Sequence, residues 1–191
     1  GKMYGLNASG PAPKSLSVAA LKDRGFEKIP SYGVEPIDVP GAVAGWMTLH
    51  ERFGKLPLEE VMAPAIRYAE KGYPVTPNIS RLWQEAFENY SKYRDRPEFQ
   101  GLFDTFAPNN TWLKPGEMFR CPDMAKTLKE IAATKGEAFY RGAIAEKIDA
   151  FFKKHNGFLT KEDLAAFKPE WVDPISVNYH GVDVWELPPN G

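Results

Sequence analysis

The stretch Val39-Pro40-Gly41-Ala42-Val43-Ala44-Gly45-Trp46 restricts most how this chain can fold. Upstream of it, Ile29-Pro30 and Glu35-Pro36 keep the backbone extended or turning, because a residue before proline is pushed out of the α region. Downstream, one helical pattern follows another. Gly41 and Gly45 are four residues apart, so on a helix they share one face. With no side chain there, a second backbone can approach closely. The stretch therefore reads as an extended entry, a proline-glycine corner and a tightly packed helix start. It does not read as a phosphate cradle, since it contains no Gly-x-Gly-x-x-Gly and no Gly-Lys-Ser/Thr follows it.

Met3 to Ala8 reads as a short extended segment, with a turn at Ser9-Gly10-Pro11-Ala12-Pro13. Ser15 is placed to cap a helix carrying Leu16, Val18, Ala19, Ala20 and Leu21, which Gly25 ends. Residues 41 to 53 space Val43, Trp46, Met47, Leu49 and Phe53 for an amphipathic helix, with His50 at the edge of its apolar stripe. The next helix opens at Leu56-Pro57-Leu58, carries Val61, Met62, Ala65, Ile66 and Ala69, and should bend or restart at Pro64. Gly72 and Pro74 end it. Thr76 and Pro77 are the cap and first position of another, with Ile79, Leu82, Trp83, Ala86, Phe87 and Tyr90 as its expected buried face. Arg94-Asp95-Arg96-Pro97 reads as a solvated break. Phe99, Leu102, Phe103 and Phe106 form a short helix or a packed loop.

Further helices are expected over about 122 to 134, with Met124, Leu128, Ile131 and Ala132 inward, and over 143 to 154, with Ile144, Ile148, Phe151 and Phe152 on one face. An aromatic turn, 136 to 142, lies between them. Thr160-x-x-Asp163 is a capping box with Asp in the usual Glu position. The tail then switches to period two, and its turn at His180-Gly181 predicts a β-hairpin over 175 to 187. The fold class is α+β, predominantly helical.

The residues reveal little chemistry. With 24 basic and 25 acidic residues, the net charge of -1 gives no electrostatic case for nucleic acid or a membrane surface. Cys121 is the one cysteine, which excludes an internal disulfide and a cysteine zinc site. His50, His155 and His180 are widely separated and show no ligand spacing, so neither a metal nor a cofactor is implied. No apolar run reaches the roughly 20 residues of a membrane span. Glu59/Glu60 and Glu162/Asp163 stand at helix starts, where the helix dipole and capping account for them. No Gly-x-Ser-x-Gly is present. The chain begins with glycine and stops just after a strand pattern, so residues 1–191 are expected to be a single partial domain of a larger protein.

An ordered set of short motifs carries a resemblance. They are Leu6-Asn7-Ala8-Ser9-Gly10-Pro11-Ala12-Pro13, Val39 to Trp46, Gly54-Lys55-Leu56-Pro57-Leu58 and Ala63 to Val75. After a variable middle come Pro122-Asp123-Met124-Ala125, Phe139-Tyr140-x-Gly142-x-Ile144-Ala145, Leu159-Thr160-x-Glu162-Asp163-Leu164, and Leu187-Pro188-Pro189-Asn190-Gly191. Together, over nearly the whole chain, they resemble the large subunit of the gamma-glutamyltranspeptidase family. The resemblance implies an N-terminal nucleophile hydrolase whose complete protein is an αββα sandwich. In that family a precursor cuts itself into a large and a small subunit. The new N-terminal threonine attacks the donor, and its own α-amino group can serve as base. A γ-glutamyl ester results, and the acyl group passes to water, an amino acid or a peptide.

By the same resemblance, the nucleophile and most of the pocket lie outside this chain, which holds no catalytic residue. Thr48, Thr76, Thr105, Thr111, Thr127, Thr134 and Thr160 all lack the family's nucleophile context. The large subunit's substrate-binding arginine sits in an Arg-Glu-x-Ala-Pro motif. Here Ser9 stands at that position, with Asn7 beside it, and these two are the candidate substrate-binding residues. A hydroxyl cannot make an arginine's bidentate, charge-assisted contact to a carboxylate. The Asn-Ala-Ser-Gly version resembles the cephalosporin acylase-like branch. The implied partners are the rest of the same protein, including the small subunit, and a small γ-glutamyl or related amide. Many members are periplasmic or extracellular, and this sequence leaves the compartment open. The residues here on their own are expected to be inactive and, with apolar surface uncovered, to self-associate. The competing reading is a non-catalytic helical interaction module of the same family.

Overall fold

A computed structural model describes residues 1–189; Asn190 and Gly191 of the last motif lie outside the described residues. In chain order the elements are β1 (Gly5–Asn7), α1 (Val18–Asp23), α2 (Ala42–Phe53), α3 (Leu58–Lys71), β2 (Tyr73–Pro74), α4 (Pro77–Tyr90) and α5 (Gln100–Phe106). Then come β3 (Met118–Phe119), α6 (Pro122–Thr134), α7 (Glu137–Tyr140), α8 (Ala143–Lys154), α9 (Lys161–Ala166), β4 (Glu170–Val172), β5 (Ile175–Tyr179) and β6 (Val182–Glu186). The strands pair antiparallel as β1–β4, β2–β3 and β5–β6.

The main core is built where the helical faces agree. Val43 of α2, Leu58 and Met62 of α3, Ile131 and Ala132 of α6, Ile144, Ala145 and Phe152 of α8, and Leu164 of α9 join one apolar cluster. Val39, Leu159 and Phe167 close it from the connections. Pro64 neither ends nor divides α3, which runs unbroken through it. One absent N–H bond is a smaller loss than giving up the packing of α3 on α6. The helix over 122–134 has the expected bounds, opened by Pro122 at its first position. The capping box also forms: Asp163 N–H donates to Thr160 Oγ1 at 3.2 Å and Thr160 N–H to Asp163 Oδ2 at 3.0 Å.

Several expectations need correction. α1 starts at Val18, capped by Ser17, whose Oγ accepts the Ala20 N–H. Ser15 is not the cap; its hydroxyl donates to the Phe158 carbonyl at 3.0 Å. The turn that bonds Leu16 N–H to Pro13 O occupies the residues an earlier helix start would need. On α4 the expected face is met in part: Trp83, Ala86, Phe87 and Tyr90 are half-buried, while Ile79 and Leu82 are exposed. Leu82 is 47% exposed, and Ser80 is the buried residue, its hydroxyl donating to Leu113 O at 2.7 Å. α4 packs on its own small aromatic cluster around Phe99 and Phe103, not on the main core. Met124 and Phe151 also face outward. Arg94 is no solvated residue: its guanidinium lies over the Phe103 ring at 4.2 Å.

The C-terminal hairpin forms as the sequence predicts. His180 (φ 50°) and Gly181 (φ 83°) take the left-handed turn that matches strand twist. Ile175, Val177, Tyr179, Val182 and Val184 fall on one face by the pairing register, and that face is exposed. The β1–β4 and β2–β3 pairings, of three and two residues, were not foreseen. Ladders this short carry no periodicity of their own.

Candidate functional site

The Val39–Trp46 stretch fixes the segment that carries Asn7 and Ser9. A Cβ on Gly41 would stand 1.8 Å from the Ala8 carbonyl oxygen, and one on Gly10 would stand 1.6 Å from the Val39 oxygen. On Gly45 it would meet Ala8 Cβ at 2.9 Å. Gly41, at the cap of α2, and Gly45 within it are thus the face on which Ala8 rests. Val39 N–H donates to Pro11 O at 3.0 Å and Lys14 N–H to Asp163 Oδ1 at 3.0 Å, pinning the far end of the turn. Gly5 to Asn7 is held by β4, in the register Gly5↔Val172, Leu6↔Trp171, Asn7↔Glu170.

Tyr140 secures the same junction from the other side. Its hydroxyl donates to Pro40 O at 2.7 Å and accepts the Ala44 N–H at 3.0 Å. Ala44 lies in the first turn of α2, where backbone donors have no partner within the helix, and Gly41 has no side chain to cap them. A phenol from α7 does the capping instead. Burial pushes the Tyr140 hydroxyl above the usual tyrosine range, partly offset by the Ala44 N–H. Tyr140→Phe strands a buried donor and acceptor and is expected to lower stability by about 2 kcal/mol in denaturant titration. The titration adds a pH signature. A folded pKa above the unfolded value of about 10 means stability is intact below pH 10 and falls as pH rises through the folded pKa. Tyr140→Phe should flatten that alkaline fall.

α9 is held at its start by two acids. Asp163 closes the capping box, and Asp149 of α8 accepts the Lys161 N–H at 3.1 Å. A hydrogen bond from Lys153 Nζ, at 2.6 Å, is the largest cause holding the Asp149 carboxyl below its usual range; burial opposes it, and the Lys161 N–H adds to the lowering. α9 then delivers Phe167, Lys168 and Glu170 to the edge of β1.

The result is a cleft of about 340 Å3, with Asn7, Ser9, Gly10 and Pro11 on one side and Phe167, Lys168 and Glu170 on the other. Ser9 N–H donates to Asn7 Oδ1 at 2.9 Å, so the two residues singled out from the sequence do meet. Ser9 is exposed and Asn7 half-buried. The sequence did not single out Lys168 and Glu170. They lie some 160 residues away along the chain, and only the β1–β4 register brings them together with Asn7 and Ser9. Among the described residues no group of three or more His, Cys, Asp or Glu side chains could hold a metal ion, and no helix is long and apolar enough to cross a membrane.

The gamma-glutamyltranspeptidase family model matches residues 1–191. The chain is 35% identical to the glutathione hydrolase proenzyme of Pseudomonas aeruginosa, over 98% of this chain and 32% of that protein. Among solved structures it resembles the cephalosporin acylase of Bacillus halodurans, with 50% identity and a TM-score of 0.96 over 99% of this chain and 35% of the other. It also resembles Helicobacter pylori gamma-glutamyltranspeptidase, with 29% identity and a TM-score of 0.86 over 99% of this chain and 54% of the other. The chain thus spans about a third of the length of the curated relatives it matches. A family match along every residue, with TM-scores of 0.96 and 0.86 to solved relatives, shows that the chain belongs to the gamma-glutamyltranspeptidase family.

Proposed function

We propose that residues 1–191 are the middle and later part of the large subunit of an N-terminal threonine amidohydrolase. The whole protein transfers or hydrolyses a γ-glutamyl or related acyl group. The observation that carries this reading is the cleft at Asn7 and Ser9, built on the segment where the family resemblance puts substrate binding. The nucleophile is the first residue of a small subunit outside these residues. It attacks the donor amide carbonyl, its α-amino group takes the hydroxyl proton, and the leaving amine receives a proton as the acyl ester forms. Water or an amine then takes the acyl group from the ester.

The chain's own contribution is structural and positional. Its helices form an outer layer of an αββα sandwich. The bare apolar face of β5–β6, with Val177 and Val182 each 66% exposed, is where another layer of the same protein packs, while the hairpin's edges take its remaining strands. Asn7 and Ser9 face the donor. Ser9 lacks an arginine's charge, so it contributes to the choice of acyl group through a neutral hydrogen bond in place of an ion pair.

The test is turnover of γ-glutamyl-p-nitroanilide and glutaryl-p-nitroanilide by the whole protein and by residues 1–191 alone. The whole protein is expected to release p-nitroaniline and the 191 residues none. Release by the short chain would overturn the placement of the nucleophile. No release by the whole, processed protein with either donor would favour a non-catalytic module. Ser9→Ala should alter the preference between the two donors; unchanged γ-glutamyl turnover would remove Ser9 from the specificity reading.

A further inference from the structure

The end of α8 closes around an asparagine-glycine pair, Asn156-Gly157, the one such pair among the described residues. Asn156 follows the last helical turn and takes left-handed backbone (φ 56°). Its N–H donates to Lys153 O at 3.4 Å, and the Gly157 N–H donates to Phe152 O at 2.7 Å. These bonds satisfy carbonyls that a helix leaves open at its end. Two further contacts hold the turn shut. Gly157 lies so close to the Phe152 ring that a Cβ there would stand 2.3 Å from it. From α1, the Arg24 guanidinium donates to the Asn156 carbonyl and lies over the Phe158 ring at 3.9 Å. Asn156 itself is exposed, and its side-chain amide takes no part in these bonds.

A glycine after an asparagine puts no side chain between the peptide nitrogen and the asparagine's own amide carbon. That nitrogen can therefore attack the amide. The Gly157 nitrogen gives up its proton and bonds to Asn156 Cγ. The Cγ–Nδ2 bond breaks, and Nδ2 leaves as ammonia with a proton in place of that bond. Water then opens the resulting succinimide at either carbonyl, giving aspartate or isoaspartate. The closed turn blocks the first step. The proton that must leave is held by Phe152 O, and the Phe152 ring restricts rotation of the peptide toward Cγ.

We propose that Asn156 is a site of spontaneous deamidation controlled by the end of α8, unreactive while the turn is closed and converted when it opens. Isoaspartate then keeps the turn open. It adds a methylene to the backbone path, so the bonds to Lys153 O and Phe152 O no longer close together. Phe158 and Leu159, which follow, are buried and lead into the Thr160 cap of α9. The modification therefore loosens the connection between α8 and α9.

The experiment incubates the whole protein, folded and in urea, at mildly alkaline pH. The peptide containing Asn156 is followed by mass spectrometry, and isoaspartate is read by enzymatic methylation. Open turns are a minor population of the folded state, so the unfolded chain is expected to convert at least about ten-fold faster. Arg24→Met removes the bond to the Asn156 carbonyl. It should speed both conversion of the folded protein and hydrogen exchange at the Gly157 amide, by about three-fold or more. Arg24→Lys should recover part of the protection. Asn156→Gly keeps a residue suited to the left-handed turn and should abolish the mass change at this position. Equal rates in folded and unfolded protein would overturn the inference. So would an Asn156 that stays intact in the unfolded chain, or an Arg24→Met protein whose turn exchanges faster without faster conversion.

Discussion

Gly41→Ala is expected to destabilise the protein by at least about 3 kcal/mol, or to prevent folding. The backbone of Gly41 (φ −90°, ψ −14°) is ordinary for alanine, so no conformational strain contributes. The loss is steric. The new Cβ would sit 1.8 Å from the Ala8 oxygen and 2.9 Å from the end of the Phe167 ring. The ring can shift, but the Ala8 carbonyl cannot. It sits between β1, held by β4, and a turn pinned by Val39 and Asp163. Either α2 or the Asn7–Ser9 segment must move, and both choices open the main core or the cleft. Gly45→Ala should cost less, since the nearest atom is the Ala8 methyl at 2.9 Å. Gly101→Ala, on α5 with nothing within 4 Å, is the control and should be neutral or stabilising by about 0.5–1 kcal/mol. Thermal and denaturant unfolding of the three variants ranks them. Parity of Gly41→Ala with Gly101→Ala would show that α2 does not rest on Ala8.

Asp163→Ala is the second large effect, about 3 kcal/mol in denaturant unfolding. The side chain is buried and accepts three hydrogen bonds: Thr160 N–H at 3.0 Å, Thr160 Oγ1–H at 2.7 Å and Lys14 N–H at 3.0 Å. The first two close the cap of α9, and the third ties that cap to the far end of the Ser9 turn. Removal leaves the Thr160 and Lys14 donors without their partner and frees the turn together with the helix. Asp163→Asn keeps one acceptor oxygen and should lose roughly half as much. Hydrogen exchange separates the two roles. The Lys14 amide should lose protection in Asp163→Ala and keep it in Thr160→Ala, which damages the cap alone. Equal protection of Lys14 in all three proteins would rule out the tie between cap and turn.

Legibility in the sequence followed how local each cause was. Thr76-Pro77, Cys121-Pro122 and Thr160-x-x-Asp163 announce helix starts within four residues, and the structure starts helices there. His180-Gly181 announces a turn with both residues in left-handed backbone, and the turn is there. Ser15 misled because a better-placed serine lay two residues on, and the choice between them depended on a turn anchored elsewhere. The face of α4 was legible through Trp83, Ala86, Phe87 and Tyr90, but periodicity reports where apolar residues cluster, not which core they meet. The candidate site was half legible. Asn7 and Ser9 stood out through a family motif, while Lys168 and Glu170 had no local signature.

By itself the sequence determined the helices with strong caps, the C-terminal hairpin, the family and the close-packing role of Gly41 and Gly45. Each follows from short-range sterics, hydrogen-bonding chemistry or an ordered motif. Only the tertiary structure decided what those glycines pack against, that Tyr140 caps α2 from 96 residues away, and that a lysine and a glutamate near the end of the chain face a serine and an asparagine near its beginning. The physical reason is the same for all three. A three-residue ladder and a carbonyl resting on two glycines are contacts between distant segments, and their energy exists only once both segments are held in place.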